Sequence, residues 1–360
     1  MRAKRNIGWW MGVILAAGIK VFSFFPAAVE KYYSGGVYPV IGRSLRLLFG
    51  WLPFSIGDLF YMAAGIGLLY KMFRFFRAIV RKKADGKYFF SCLRQLLFFS
   101  LWVYVVFNAL WGLNYNRKGI ADQLHLMVHP YSIAELEGLL LQVIVRLNEA
   151  DSLSRLGREA LKDREHLFTG AVDAYRDLAV KEPVFVYSSA SVKPSLFGWL
   201  DNYLAIGGYY NPFSGEAQVN RSMPVFTLPF TTCHEMGHQL GYAKENEANF
   251  AGYLSAKSSE LPAFRYSVYF ELYAYAASEL YVRDSSWLKP FRKLLRPGIK
   301  QDFNELRLYN RKYKNPFEPF TRRIYGRYLK ANEQPQGIIT YNEVIAWLIA
   351  YYEKYGEEAI

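Results

Sequence analysis

Cysteine and histidine are scarce in this 360-residue chain, at two and five residues, and each scarcity excludes something. Cys92 and Cys233 cannot build a disulfide framework or a four-thiolate metal site. Acidic residues are nearly missing from the first 94 positions, which hold 15 Lys or Arg against 3 Asp or Glu. The remainder carries 29 against 28, so the formal charge of +13 sits almost wholly at the N-terminal end. A basic excess confined to the flanks of hydrophobic segments is what the positive-inside rule produces, whereas a nucleic-acid groove needs it on the folded domain. Nucleic acid is therefore not an expected partner. Internal repeats at solenoid periods and low-complexity tracts are also lacking, which excludes repeat arrays and long disordered arms.

Apolar residue is plentiful: hydrophobics make up 52% of the chain and aromatics 18%, with 21% still charged. That mixture predicts membrane spans joined to a soluble domain. Residues 7–25, IGWWMGVILAAGIKVFSFF, follow the basic MRAKR and read as a first span; small residues at Ala27 and Ala28 leave a cleaved signal peptide as the alternative. LPFSIGDLFYMAAGIGLLY at 52–70 and LLFFSLWVYVVFNALWGL at 96–113 have about the length a bilayer requires. Between them KMFRFFRAIVRKKADGK is crowded with Lys and Arg, so that loop and the N-terminus belong in the cytoplasm. Three crossings then put everything after about residue 115 on the extracytoplasmic side of the lipid bilayer. Lys20 and Asp58 are polar exceptions; snorkelling accounts for Lys20, while Asp58 has no explanation in the sequence.

From 132 onward the pattern becomes that of a soluble, mostly helical domain. Ser132 and Glu135 form a capping-box signature, and Leu136, Leu139, Leu140, Val143, Ile144 and Leu147 recur at helical spacing. PVFVYSSA at 183–190 and AIGGYYNPFSGEAQVN at 205–220 predict a small sheet or hairpin. Pro229 closes that region, with Thr231 and Thr232 as cap candidates for the next helix. The apolar stretch at 263–282 contains Arg265, Glu271 and Glu279 and is read as a core helix rather than a fourth span. A last helix is expected from Thr340, paired with Glu343 as a second capping box.

The chemistry is concentrated in TTCHEMGHQLGYAKENEAN, residues 231–249. On a helix His234 and His238 lie one turn apart on one face, where two imidazoles can bind one zinc ion. Glu235 then stands beside a water held by that zinc and can accept its proton as general base. A catalytic site needs a third ligand. Gly241 allows a sharp turn, after which KENEAN starts a helix packing back antiparallel, with Glu245 in its first turn and Glu247 as the alternative ligand. Asn249, one turn further, would orient the His234 ring. Cys233 points about 100° away from His234 and is expected to pack. Tyr266, Tyr269, Tyr273 and Arg265 are the residues considered for stabilising an oxyanion. GGYYNPFSGEAQVN, with Tyr209, Tyr210 and Asn211, is either a substrate-binding edge strand or an ordinary hairpin under the helix.

H-E-M-G-H followed by E-N-E-A-N resembles the zincin superfamily, specifically its gluzincin branch. The resemblance implies a zincin-like α+β domain, His234 and His238 as zinc ligands, Glu235 as general base and Glu245 as third ligand. Asn249 stands where many relatives have aspartate, and the connection between the two helices is shorter than in most. Over nearly its whole length, including GIITYNEVIAWL near the end, the chain is similar to an uncharacterised bacterial membrane family, domain-of-unknown-function 3810. The expected protein is thus mostly α, with a membrane region at 1–115 and a zincin-like domain at 116–360. Its expected function is that of a membrane-anchored zinc metallopeptidase of the bacterial inner membrane, acting on peptide or protein substrates outside the cytoplasm. The alternative from another class is a non-catalytic membrane protein whose metal site serves binding or assembly.

Overall fold

The computed structural model describes residues 2–283, 286–335 and 343–360, the side chains of 2–6 and 357–358 excepted. Helix α1 (Arg2–Ser23) ends at a turn where Pro26, with no N–H to lose, opens the next helical segment. That segment runs as a π-helix over Val29–Val37 and continues as α2 (Tyr38–Phe49). The path bends by 100° between Ile7–Ser23 and Pro26–Phe49. Helices α3 (Ile56–Val80) and α4 (Gly86–Leu110) are the two that are long and apolar enough to cross a membrane, and the bent pair makes three if it is counted as one span. The chain is in this respect consistent with a membrane protein.

Both spans differ from the sequence-predicted limits of 52–70 and 96–113. Residues 52–55 are not helical, because Ser55 caps the helix by accepting the Asp58 N–H at 3.0 Å. At the other end the basic stretch continues the helix, and Phe75 meets Phe89 across the turn with ring centres 5.5 Å apart. Lys71, Arg74 and Arg77 therefore belong to the last turns of α3, where long basic side chains reach past the apolar layer.

In the remaining chain α5 (Ile133–Gly157) starts at the expected capping box, and Leu136, Leu139, Leu140, Val143, Ile144 and Leu147 are all buried. It packs against α9 (Pro262–Arg283), whose Phe264, Tyr266 and Phe270 are fully buried in the protein core. α9 is a core helix, as its charges indicated. Helix α6 (Arg164–Lys181) precedes a three-stranded sheet of β1 (Val192–Pro194), β2 (Gly208–Asn211) and β3 (Glu216–Val219). The order is β1-β3-β2, with β2 antiparallel to β3 and β1 parallel to it, Val192 opposite Ala217. The hairpin at 205–220 is as expected. The strand expected at 183–190 is not: Pro183 opens a 3-10 turn over Pro183–Phe185, and pairing begins only at Val192.

Helix α7 (Leu228–Gln239) begins a turn earlier than predicted, with Pro229 in its first turn, a position where a missing N–H costs nothing. Thr231 and Thr232 accordingly do not cap it; their hydroxyls donate back to the carbonyls of Thr227 and Leu228. α8 (Glu245–Ser258) returns along α7, and α10 (Pro297–Tyr313), α11 (Glu318–Ala331) and α12 (Val344–Tyr355) complete the chain. The cap predicted at Thr340 lies outside the described residues.

Two buried carboxylates join the sheet to the start of α3. Glu216 of β3 accepts the Gly57 N–H at 2.6 Å, the Ile56 N–H at 3.2 Å and the Ser214 hydroxyl at 2.9 Å. Asp58 accepts the Leu196 N–H at 2.8 Å and the Tyr209 hydroxyl at 2.6 Å, which accounts for an acid at the head of an apolar helix. Free N–H groups and the positive end of the helix dipole both favour negative charge there. Glu216→Ala strands those donors in a buried place. It should cost about 2 kcal/mol, read as a lower unfolding midpoint of the full chain in detergent, and Glu216→Gln should cost less.

Candidate metal centre

The site is built on α7 and α8. Gly241 turns the chain between them at φ +85°, and a Cβ there would come within 3.0 Å of the Tyr38 ring and the Asn114 side chain, so only glycine serves. The tight turn brings the first turn of α8 back over the last turns of α7. As a result His234 Nε2 lies 3.2 Å, and His238 Nε2 3.6 Å, from the same Glu245 carboxylate oxygen, Oε2. The two rings stand nearly perpendicular with centres 4.8 Å apart. Glu235 joins this group, with ligand atoms of His234, Glu235 and His238 all within 4.8 Å of one another.

The other nitrogen of each ring is engaged. His238 Nδ1 donates to the Tyr242 carbonyl at 2.7 Å, and His234 Nδ1 donates to Asn249 Oδ1 at 2.8 Å. With Nδ1 carrying the proton, Nε2 of a neutral ring is the free lone pair, and it points into the site. Asn249 thus sits on His234 as its position one turn after Glu245 predicted. Trp111 supports the base of the site, donating its indole N–H to the His238 carbonyl at 3.0 Å.

All four groups are buried. Burial pushes the Glu235 carboxyl up to about 7; Glu245 adds to the rise and the two histidines oppose it. Burial alone would lower His238, but the Glu245 carboxylate beside it outweighs that and holds the imidazole up at about 9. Burial likewise disfavours a charged Glu245, yet its two histidine partners hold its pKa well below the usual carboxylate range.

Of the two glutamates considered as third ligand, Glu245 is the one brought to the histidines. Glu247 lies instead against Gly119, whose Cβ position falls on its carboxylate, and it interacts with Arg117. Two further residues hold Glu245. Tyr325 of α11 donates its hydroxyl to Oε1 at 2.7 Å, and Gln334 accepts the Glu245 N–H at 2.9 Å. No local pattern in the sequence marks either, since both are 80 or more positions away.

The substrate-strand candidates do not present their side chains to the histidines. Tyr209 is fixed on Asp58 and stands 3.1 Å from the Ser195 hydroxyl. Tyr210 is buried against Trp111, ring centres 5.1 Å apart, and Asn211 closes the hairpin by accepting the Phe213 and Ser214 N–H groups. Gly208, which the reading of the motif did not single out, makes the approach instead: a Cβ there would lie 2.7 Å from the Glu235 side chain. The β2 backbone, at the edge of the sheet, therefore runs directly beside Glu235. A cavity of about 600 Å³ begins next to it at Gly207 and Met223 and extends between Tyr203, Tyr309 and Arg322, although neither histidine nor Glu235 lines it.

The four residues considered as oxyanion stabilisers lie elsewhere. Tyr266 donates to Asp302, Arg265 to the Ser259 carbonyl, Tyr273 packs on Phe303, and Tyr269 lies in the core beside Tyr253. The Cys233 thiol is fully buried and pushed up to about 12 by desolvation, as a packing residue would be.

The residues fit a divalent metal by their donor set. Glu245 Oε2 and Glu235 Oε2 are both buried and take part in no hydrogen bond. Two imidazole nitrogens and a carboxylate oxygen are a set that zinc accepts. A second cluster, His129, Glu135 and Glu353, is partly exposed and already occupied by the α5 cap and by His129–Glu353 pairing.

No curated protein and no solved structure matches this chain. A family model does match, over residues 33–349, a range that takes in α2 to α8 and with them every residue of the histidine and glutamate cluster. On that match the chain belongs to the family described as "Protein of unknown function (DUF3810)".

Proposed function

We propose that the protein is a membrane-anchored zinc-dependent metallopeptidase with a zincin-like, gluzincin-type centre. The observation that carries this reading is the convergence of His234 Nε2 and His238 Nε2 on one Glu245 oxygen, with Glu235 at their side. His234, His238 and Glu245 would hold the zinc, which when bound supplies a water nucleophile near neutral pH and polarises the scissile carbonyl. Glu235, kept near 7 by its burial, takes the proton from the attacking water and returns it to the leaving amine. Asn249 and the Tyr242 carbonyl fix both rings in the tautomer that presents Nε2. Tyr325 donates to the other Glu245 oxygen, Oε1, and so would leave Oε2 available to a metal. The β2 edge beside Glu235 offers main-chain groups to an extended peptide. The Lys and Arg around the turn between α3 and α4 support a cytoplasmic side for that turn by the positive-inside rule, and with it an active side outside the cytoplasm.

The full chain purified in detergent should contain one zinc per molecule, measured by elemental analysis. Glu235→Gln should keep that zinc and lower peptide hydrolysis by about 10²–10⁴-fold, followed by mass spectrometry of new peptide ends. Folded wild-type protein that binds no metal overturns the proposal. Unchanged function in Glu235→Gln, with unfolding in His234→Ala, would favour a structural metal site instead.

His238 at about 9 carries a proton at pH 7 when no metal is bound, and zinc takes only the neutral ring. Zinc binding at pH 7 should therefore release about one proton from this residue, and affinity should rise as pH increases towards 9. Calorimetry in buffers of different ionisation enthalpy measures both. Tyr325→Phe removes the support of Glu245 and should weaken zinc binding about 10–100-fold, read by competition with a chromogenic chelator.

A further inference from the structure

Among the described residues, nothing covers the apolar side of helix α11. Phe317 is 71% exposed, Phe320 62% and Ile324 51%, and with Tyr328 they follow one another at three- and four-residue steps along one stripe. At 100° per residue, Arg327, Arg323 and Lys330 border this stripe on one side. Tyr325, bonded to Glu245, and Leu329, which is fully buried, lie on the other and anchor the helix to the domain. From 311 to 330 the chain has seven Lys or Arg and a single acid, Glu318, whereas the rest of the chain from 95 onward has 22 Lys or Arg against 27 Asp or Glu.

Its position relative to the spans is given by its contacts. The Tyr328 hydroxyl is 3.2 Å from that of Tyr115, five residues beyond the end of α4, and Tyr328 also interacts electrostatically with Tyr61 in the second turn of α3. Just before α11, Asn315 donates to the Tyr203 carbonyl at 2.7 Å. Tyr203 lies in the last turn of the short helix Gly198–Leu204, whose Trp199 is 68% exposed, and the neighbouring Leu196 N–H is bonded to Asp58 at the head of α3. The stripe thus lies in the plane where the head of α3 and the tail of α4 meet the domain. That plane is the edge of the apolar layer, where exposed aromatic rings and flanking basic side chains find their preferred surroundings.

We propose that α11 lies in the interface of the bilayer, with Phe317, Phe320, Ile324 and Tyr328 among the acyl chains and Arg323, Arg327 and Lys330 on anionic headgroups. The inference rests on α3 and α4 being membrane spans, not on the zinc chemistry. One consequence follows for the site. The residue that holds Glu245, Tyr325, is carried on a helix whose orientation the lipid surface sets.

Spin labels measure this. Single cysteines at Phe320, Ile324 and Arg322 are made in the full chain with Cys92→Ala, while Cys233, fully buried, stays unlabelled. Leu97 in α4 serves as the span control. The proteins are reconstituted in nanodiscs containing phosphatidylglycerol, and collisions with molecular oxygen and with a neutral nickel chelate are compared. Labels at 320, 324 and 97 should show several-fold higher oxygen than nickel accessibility, and the label at 322, on the opposite face, the reverse. Nickel access at 320 and 324 with oxygen preference at 97 would place the stripe in water and overturn the inference. Exclusion of both reagents at 320 and 324 would mean a protein partner covers it, which also overturns it. Nickel access at 97 would overturn the spans themselves, and the inference with them.

Discussion

A carboxylate buried between two imidazoles is the constraint on which the rest of the site depends. Glu245 is 4% exposed, and an isolated ionised acid at that depth is prohibitively unfavourable. It stays charged because both histidine Nε2 atoms and the Tyr325 hydroxyl face it. Meeting that requirement fixes the larger geometry. α8 must return along α7 within a few residues, which only a glycine at 241 permits beneath Tyr38 and Asn114. α11 must reach across from a distant part of the chain, and the His238 backbone must be held by Trp111.

The same logic governs the junction with the N-terminal apolar helices. Arg46 and Tyr38 of α2 both donate to the carbonyl of Gln239, at 3.0 and 2.8 Å, satisfying the end of the motif helix. Gln239 in turn donates to the carbonyls of Ser191 and Gly215 beside the sheet. Arg117, bonded to Glu30 at 2.7 Å, also donates to the Gly241 carbonyl. The segments around the spans are thus part of the scaffold under the histidines. Removing one partner of a buried ion pair or of a capped helix end leaves an uncompensated buried group, so each of these contacts resists displacement of the segments it joins. The head of α3 and the turn after α7 are consequently set against one sheet, and displacement of either would be felt at His238.

What was legible in the sequence was local. Histidines one turn apart, a glycine after them and an acid at the start of the next helix depend on the 3.6-residue period and one turn, so the pair and its return helix are readable from the 231–249 stretch, whereas the choice between Glu245 and Glu247 turns on the rotation of α8, which packing sets. The capping box at Ser132 and the leucines of α5 were readable for the same reason. Hidden features were those whose partners are distant or whose pattern is overridden. Tyr325 is one tyrosine among 29 until the fold sets it on Glu245. The π-helix over Val29–Val37 has no periodic signature separating it from an α-helix. β1 pairs in parallel with a strand more than twenty residues later, so β-branched residues at 183–190 misdirected the assignment. The span limits shifted because basic side chains end an apolar run without ending a helix.

Asn249 is one of the two points at which this chain departs from the pattern it resembles, and the electrostatics of the pocket give a reason for the departure to be tolerated. Asp and Asn both accept the His234 Nδ1 proton, so ring orientation survives the exchange. They differ in charge. With neutral histidines, Glu235 and Glu245 together contribute two negative charges, which a bound dication would balance. An aspartate at 249 would add a third, buried beside Tyr275, which also feels Glu245. That excess would raise the proton affinity of Glu235 further above its burial-raised value, and the reaction proposed above requires this carboxylate free of its proton. An amide at 249 therefore keeps the ring oriented without adding a further negative charge to the buried group of His234, Glu235, His238 and Glu245.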